Sequence, residues 1–469
     1  MQIIARRPSP VKGGRKERAF GRGKKMAKDL TKGNPASVLI RFALPVIGGN
    51  LFQLFYTLAD SVIVGRMLGA QALAAVGSTS IIIYLVLCFI QGITGGFGIC
   101  LGQRFGARDD AAMRRSVMIS WLLSAFFTAL LTAVCCALSH PILRWMQTPD
   151  DIYQDAYAYM WVILAGTGAT VFYNAISNML RALGDSRTPL IFLIVSSLGN
   201  IALDILFIGP MRMGVAGAAW ATVLSQLIAA ILSAAVGVKN YAVLRPSRLE
   251  RKDVLPEAAA HLRLGFPMGF QMSVMCIGQL AMQAAVNALG AAAIAGYTAA
   301  TKVDQFSVLI NNALGIAIAN YVAQNYGAGE YDRIRRGVVA GLIQVESANA
   351  AMMALMLVCR NAVVSLFIDE PTAEIVHYAV GYLLAVAPFY PLLGLLLVYR
   401  TAEQSMGDGR APFLACMIEL VMRIVGTAGL SRVLGYTGVC LASPLAWAGA
   451  IALLIPVYYR HIGALQKTV

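Results

Sequence analysis

The sequence predicts an all-α integral membrane protein with about twelve membrane-spanning helices, built as two parallel repeats of six. Three observations carry this expectation. The chain of 469 residues is 58% hydrophobic and only 13% charged, whereas a soluble domain carries about 25% charged residues. Its mean hydropathy is +0.68, and apolar runs of roughly 18 to 25 residues recur from about residue 37 onward, each long enough to cross a bilayer as a helix. Finally, four segments return in the same order about 222 residues later. Strand-like alternation is missing, which argues against a β-barrel.

The spans are expected near 37–64, 72–101, 115–139, 155–180, 188–208, 215–237, 258–289, 292–324, 336–358, 374–401, 411–431 and 437–459. Ahead of them, residues 1–33 hold eleven Lys/Arg against Glu17 and Asp29. This basic segment has no apolar core, so it is not read as a signal peptide, and its Gly, Pro and Arg content predicts disorder. Met26 opens a segment that reads as a natural start, so residues 1–25 are expected to be dispensable. Beyond this tail the basic residues concentrate in alternate loops. The outer loops hold Arg66, Arg144, Arg212, Arg360 and Arg432, while Lys302 and Arg423 fall inside spans and the others count to the inner side. That bias puts both termini in the cytoplasm. The net charge of +15 is therefore read as a topology signal and a contact with anionic membrane lipids, not as a nucleic-acid site.

The repeats carry the domain organisation. "RFALP" at Arg41 returns as "RLGFP" at Arg263, and "GQRFGARDDAAMRRS" at Gly102 returns as "AQNYGAGEYDRIRRG" at Ala323. "GDSRTP" at Gly184 returns as "GDGRAP" at Gly407, and "GVAGAAWAT" at Gly214 is echoed by "GYTGVCLAS" at Gly435. Four echoes at one spacing indicate a duplicated unit, and six spans per copy, an even number, make the copies parallel. The expected division is an N-lobe over 34–237, a cytoplasmic linker over 238–257, a C-lobe over 258–460 and a tail over 461–469. Duplicated halves around a central cavity are the common plan of secondary transporters.

Charges kept inside the membrane are costly, about 2.5–3.5 kcal/mol for an acid at mid-span, and they mark functional sites or buried partners. Asp60, Asn200, Asp204 and Thr222 share one depth in the outer half of the first bundle. Asn200 and Asp204 lie one turn apart on a single helix face. Paired carboxylates with an amide and a hydroxyl suit either proton sharing or oxygen coordination of a hard cation such as Na⁺. A buried polar network holding spans one, five and six together is the alternative. In the second half, Met282 stands at the position of Asp60 and Thr427 near that of Asp204, so coupling is expected on one side only. Glu419 and Arg423 are spaced i,i+4 in the order that favours an ion pair. Lys302, Asp304 and Gln271 are candidates for the cavity or for polar structure, and Glu346 alone is uninformative. Pro45, Pro267, Pro388 and Pro391 interrupt spans and are hinge candidates. The eight cysteines (Cys88, Cys100, Cys135, Cys136, Cys276, Cys359, Cys416 and Cys440) all fall in apolar stretches and form no CxxC, so they read as small buried apolar residues. No metal site beyond that possible Na⁺ site, and no cofactor, is expected.

"NLFQLFYTLADSVIVGRMLGAQALAAVG" from Asn50, "QNYGAG" from Gln324 and "RALGDSRTP" from Arg181 resemble multidrug and toxic compound extrusion (MATE) transporters, and the resemblance runs from about residue 30 to 460. It implies two six-helix lobes forming a V around a central cavity, and exchange of an organic substrate for H⁺ or Na⁺. In the family branch with an N-lobe ion site, an Asp on helix one, an Asn-x-x-x-Asp pair on helix five and a Thr on helix six form that site. Asp60, Asn200, Asp204 and Thr222 match it. The branch with a C-lobe site uses acids on spans seven and ten. Here span seven offers only Gln271 and Gln279, and Glu403 sits at the inner end of span ten.

The expected function is thus a multidrug efflux antiporter for cationic or amphipathic organic compounds. It would work as a monomer in the inner (plasma) membrane, with no nucleic-acid partner. A lipid-linked oligosaccharide flippase of the same superfamily is the alternative. That activity would want a cationic cavity for pyrophosphate, and the few basic residues inside spans, chiefly Lys302 and Arg423, count against it. No GxSxG, HExxH or DDxxD motif suggests an enzyme.

Overall fold

The structure is a computed structural model that describes residues 29–358 and 372–467. Residues 1–28, Cys359 and Arg360 lie outside the described residues. Among those described, every regular element is helical. The N-lobe comprises α1 (Pro35–Leu68), α2 (Ala70–Gly106), α3 (Asp110–Trp145), α4 (Asp150–Ala165), α5 (Thr167–Ala182), α6 (Arg187–Ile208) and α7 (Gly214–Asn240). The C-lobe comprises α8 (Arg251–Asn287), α9 (Ala291–Gly327), α10 (Tyr331–Val358), α11 (Ala373–Val386), α12 (Tyr390–Ser405), α13 (Arg410–Leu434) and α14 (Tyr436–Gln466).

These helices supply the twelve expected spans once α4 with α5, and α11 with α12, are each counted as one broken span. Ten among the described residues are long and apolar enough to cross a membrane, and the α4–α5 pair makes an eleventh. Helix α8 falls short of that apolarity because Gln271, Gln279 and Gln283 interrupt it. The α4–α5 span bends by 42° at Gly166, against which Val223 leaves no room for a Cβ. The sequence predicts a single span near 155–180, with no break marked in it. The break in span ten does fall at the prolines, with a 3₁₀ turn at Ala387–Phe389 and Pro391 in the first turn of α12. Pro45 and Pro267, by contrast, lie inside continuous helices.

The turns repeat as the sequence does. Gly69 and Gly290 link α1 to α2 and α8 to α9 with φ of 90° and 99°, a left-handed conformation that glycine adopts without strain. Asp185 accepts from the N–H groups of Arg187 and Thr188 at 3.1 and 3.0 Å, and Asp408 from those of Arg410 and Ala411 at 2.8 and 3.3 Å. One Asx-type cap therefore starts α6 and its repeat mate α13.

The lobes meet along α1, α2, α8 and α9, and the contacts cluster at one end. Gly96 lies against Gly265 and Gly92 against Met268, with no space for a Cβ at either contact. Phe89 makes edge contacts with Phe266 and Phe270. Cys88 and Cys276 approach to 3.4 Å, and Asn50 Nδ2 lies 3.4 Å from the Leu309 carbonyl. Further along, α1 exposes Phe52, Phe55, Leu58 and Val62. The result is a V with its apex where α2 and α9 end and its mouth at the Gly69 and Gly290 turns.

Three expected boundaries shift. Residues 29–33, assigned to the disordered tail, are ordered at the apex, where Leu30 is 1% exposed and its N–H donates to Gln324 Oε1 at 2.8 Å. The 238–257 linker is partly helical, since α7 runs to Asn240 and α8 starts at Arg251. The 461–469 tail begins as helix, because α14 continues to Gln466.

Candidate functional site

Asp60 on α1, Asn200 and Asp204 on α6, and Thr222 on α7 converge inside the N-lobe. The carboxyl groups of Asp60 and Asp204 are close enough to share a hydrogen bond. With its amide nitrogen turned toward Asp204, Asn200 donates to Asp204 Oδ2 at 3.3 Å and accepts from the Thr222 N–H at 3.3 Å. The opposite orientation puts Nδ2 3.4 Å from Thr222 Oγ1, and only the first arrangement satisfies both the amide and the carboxylate. Asn200 and Asp204 are 1% and 0% exposed, while Asp60 and Thr222 are half-buried.

Local sequence explains the convergence. The i,i+4 spacing turns both polar side chains of α6 to the face that α1 and α7 cover. Asp60 Oδ1 and Asp204 Oδ1 are each buried without a hydrogen-bond partner, so each of the two neighbouring carboxyls keeps an unsatisfied acceptor oxygen. Such a set fits a proton or a hard cation, which would join the two acids.

Sequence reasoning missed part of the surroundings. Tyr56, one turn before Asp60, and Tyr159 on α4 lie beside the carboxyls. Gln226 on α7 accepts from Thr170 Oγ1 at 2.5 Å. The i−4 spacing of Tyr56 from Asp60 was a usable signal. Nothing local pointed to Tyr159 or Gln226.

The C-lobe candidates separate. Asp304 accepts from Tyr390 OH at 2.6 Å and from Tyr382 OH at 3.3 Å, which ties α9 to both halves of the broken span. Lys302 is exposed on another face of α9. Gln271 accepts from Gln404 Nε2 at 2.7 Å. Glu346 Oε1 has no partner and lies beside Gly394. Glu403, fully buried, pairs with His461 at 2.9 Å. The Glu419–Arg423 ion pair is present at 2.8 Å, and Glu419 also takes Arg400 at 2.5 Å. Arg400 had been counted with the cytoplasmic basic residues. It is instead 7% exposed inside the lobe, because α12 carries it one turn before the helix end toward α13.

A cavity of about 660 Å³ runs between α3 and the α4–α5 break, lined among others by Trp121, Thr128, Thr132 and Phe172. It contains none of the predicted site residues. No group of three or more potential metal-ligating His, Cys, Asp or Glu occurs among the described residues.

Comparison with known proteins agrees with this architecture. The MatE family model matches twice, at residues 45–206 and 267–428, two stretches offset by 222 residues as the repeats require. A Bacillus subtilis protein named "Probable multidrug resistance protein YpnP" is 32% identical over 93% of this chain and 97% of its own length. A Shewanella oneidensis protein named "FAD transporter" is 22% identical over 87% of this chain and 91% of its own. A solved structure of a multidrug resistance MATE transporter in an outward-facing conformation superposes with a TM-score of 0.86 at 23% identity, covering 94% of this chain and 99% of that one. With two family matches in register with the duplicated lobes, the chain belongs to the MatE family of multidrug and toxic compound extrusion transporters.

Proposed function

We propose that the chain is a secondary antiporter that expels organic compounds in exchange for H⁺ or Na⁺, with the ion taken at Asp60, Asn200, Asp204 and Thr222. The single observation that carries this reading is the pair of carboxyls in contact with two unpartnered oxygens. Two negative charges at that spacing repel, and one bound proton or cation relieves the repulsion. Occupancy would tie α1 to α6, and emptying the site would free α1. Coupling requires that substrate affinity differ between those two states. The half-buried position of Asp60 supports a path for the ion to reach the pair.

The distribution of basic residues supports an apex on the cytoplasmic side and a mouth facing outward, hence an outward-open state with both termini on the cytoplasmic side of the plasma membrane. The relatives' names support small organic cargo, and they favour efflux over the flippase alternative. A monomer with the lobe boundaries described above is sufficient for the mechanism.

The experiment is uptake of a fluorescent organic cation by purified protein in liposomes. A pH gradient is imposed alone, then a Na⁺ gradient alone, with Asp204→Asn as control. Transport driven by one gradient and lost in the variant identifies the ion. Gradient-driven transport by Asp204→Asn at the wild-type rate would overturn the site.

A further inference from the structure

The two lobes carry charge of different sign around equivalent helices, although no charged residue faces an opposite charge at the matching position. Helices α6 and α13 start at Arg187 and Arg410, 223 residues apart. In that register Asn200 corresponds to Arg423, Asp204 to Thr427 and Ser196 to Glu419. On α1 and α8, offset by 222, Asp60 corresponds to Met282 and Tyr56 to Gly278. Where the N-lobe gathers two carboxyls, the C-lobe gathers two guanidiniums around one carboxylate.

That C-lobe cluster is buried and unbalanced. Arg400, Arg423, Glu419 and Thr427 are 7%, 6%, 2% and 6% exposed. Arg400 and Arg423 divide the two oxygens of Glu419 at 2.5 and 2.8 Å, which leaves one positive charge over. Among the described residues, Arg400 Nη1 reaches Met275 Sδ, at 3.7 Å. Arg400 Nε, Arg423 Nε and Thr427 Oγ1 are buried without partners. Arg423 and Thr427 are i,i+4 and share a face. Gly278 makes room for the guanidinium, since a Cβ there would lie 3.0 Å from Arg423 Nη1. Beside it is a narrow crevice, too tight in this state to hold a water molecule, lined by Met275, Gly278, Cys416, Glu419, Leu420 and Arg423. A buried charge without a counter-charge is unfavourable, and unpaired guanidinium N–H groups are donors only.

We propose that this cluster is an anion site, in which Arg423 and Arg400 with the Thr427 hydroxyl hold one monovalent anion. The anion is either a free small ion such as chloride or the carboxylate of a transported compound. Either balances the leftover charge and accepts from the orphaned donors. The N-lobe cation site and this C-lobe anion site would then be the two diverged copies of one ancestral position. The inference does not depend on which ion drives transport.

The test starts from wild-type protein in detergent, melted at constant ionic strength in gluconate, chloride or acetate. The expected result is a saturable rise in Tm with chloride or acetate that gluconate does not give. Arg423→Gln leaves Glu419 balanced by Arg400, so it should fold and lose the response. If that variant does not fold, Thr427→Val should weaken the apparent affinity several-fold. Asp204→Asn should keep the response, which separates this site from the coupling reading. Fluorescence anisotropy with rhodamine 110, a free carboxylate, and rhodamine 123, its methyl ester, then identifies the source. A preference for the acid of about tenfold or more, abolished by chloride and by Arg423→Gln, assigns the site to a substrate carboxylate. An anion-dependent Tm with equal binding of the two dyes assigns it to a free ion. Identical melting in all three anions with no preference between the dyes, or effects that survive Arg423→Gln, would overturn the proposal.

Discussion

Gln103 and Gln324, 221 residues apart and equivalent in the two repeats, each reach across the apex to the opposite lobe. Gln103 Nε2 donates to the Ser405 carbonyl at 2.8 Å, and Gln324 Nε2 donates to the Ala182 carbonyl at 2.8 Å. Ser405 and Ala182 are themselves repeat mates at the ends of α12 and α5. Gly106 packs on the Gln324 carbonyl and Gly327 on the Gln103 carbonyl, each without room for a Cβ. The duplicated motif thus closes the apex by pairing with itself, as an isologous dimer interface does. Around it, Glu257 on α8 holds Arg104 of α2, and Arg115 of α3 at 3.2 Å. On the C-lobe side the symmetry is broken by Leu30, which takes the Gln324 side-chain oxygen.

The two glutamines should therefore not be equivalent in effect. Gln103→Ala removes one bond across the apex and leaves a carbonyl without its donor, a loss of about 1–3 kcal/mol. Gln324→Ala removes the same bond and also the acceptor for the Leu30 N–H. Both variants should shift the population toward the state with the apex open, roughly 5-fold or more for Gln103→Ala and further for Gln324→Ala. Accessibility of a cysteine placed in the apex to a membrane-impermeant thiol reagent measures this. Equal effects of the two substitutions would remove the special role assigned to Leu30.

Gly106→Ala and Gly327→Ala attack the same contact by bulk. A methyl group at either position meets backbone of the other lobe, so the closed apex becomes strained. Substrate binding to the outward-open state should fall at least tenfold, while the protein still inserts and purifies. Dye anisotropy with the purified variants checks it, and wild-type affinity in both would contradict the described contact.

The clustering of Asp60, Asn200, Asp204 and Thr222 was legible because a charge in an apolar run is conspicuous and the i,i+4 spacing of Asn200 and Asp204 fixes a shared face. The repeat was legible too, and the sequence put Gln103 and Gln324 in matching segments. That these segments meet each other was not, because a repeat gives equivalence and not contact. Arg400 was misassigned for a related reason. A basic residue near the end of a span reads as cytoplasmic until the partner helix carrying Glu419 is seen beside it. The bend at Gly166 had no sequence mark beyond the Gly166-Thr167-Gly168 pair of glycines, whereas the break at span ten carried Pro388 and Pro391. Leu30 was lost among the basic residues of the tail, since one apolar side chain does not form a pattern.

Asp185 gives a pH-dependent prediction outside the membrane. Burial alone would raise its carboxyl. The Thr188 hydroxyl and N–H, the Tyr241 hydroxyl and the Arg187 N–H outweigh burial and hold it below its usual range. The folded state thus favours the ionised form. The stabilisation is complete above the unfolded carboxylate value of about 3.9 and is lost as pH falls through the lower folded value. Tyr241→Phe removes a donor at 2.8 Å and raises only the folded value, so the acid loss should be smaller than in wild type and complete at a higher pH. Thermal melting between about pH 3 and 6 would show the shift, and coincident curves would mean that Tyr241 does not stabilise the carboxylate.

Cys88 on α2 and Cys276 on α8 offer a native reporter of lobe movement. Their sulfurs lie 3.4 Å apart across the lobe boundary, and both residues are buried. An added two-electron oxidant such as copper–phenanthroline with dissolved oxygen should convert the two thiols to a disulfide, with loss of two protons and two electrons to the oxidant. The bond ties the lobes together at the level where α2 crosses α8. If alternating access requires those helices to separate, transport should fall by most of its rate on oxidation and return on reduction with dithiothreitol. Cys88→Ala should be insensitive to the same treatment and retain activity. Full transport by protein shown to be cross-linked by mass spectrometry would mean that α2 and α8 stay together through the cycle, with the opening confined to the Gln103 and Gln324 contacts below them.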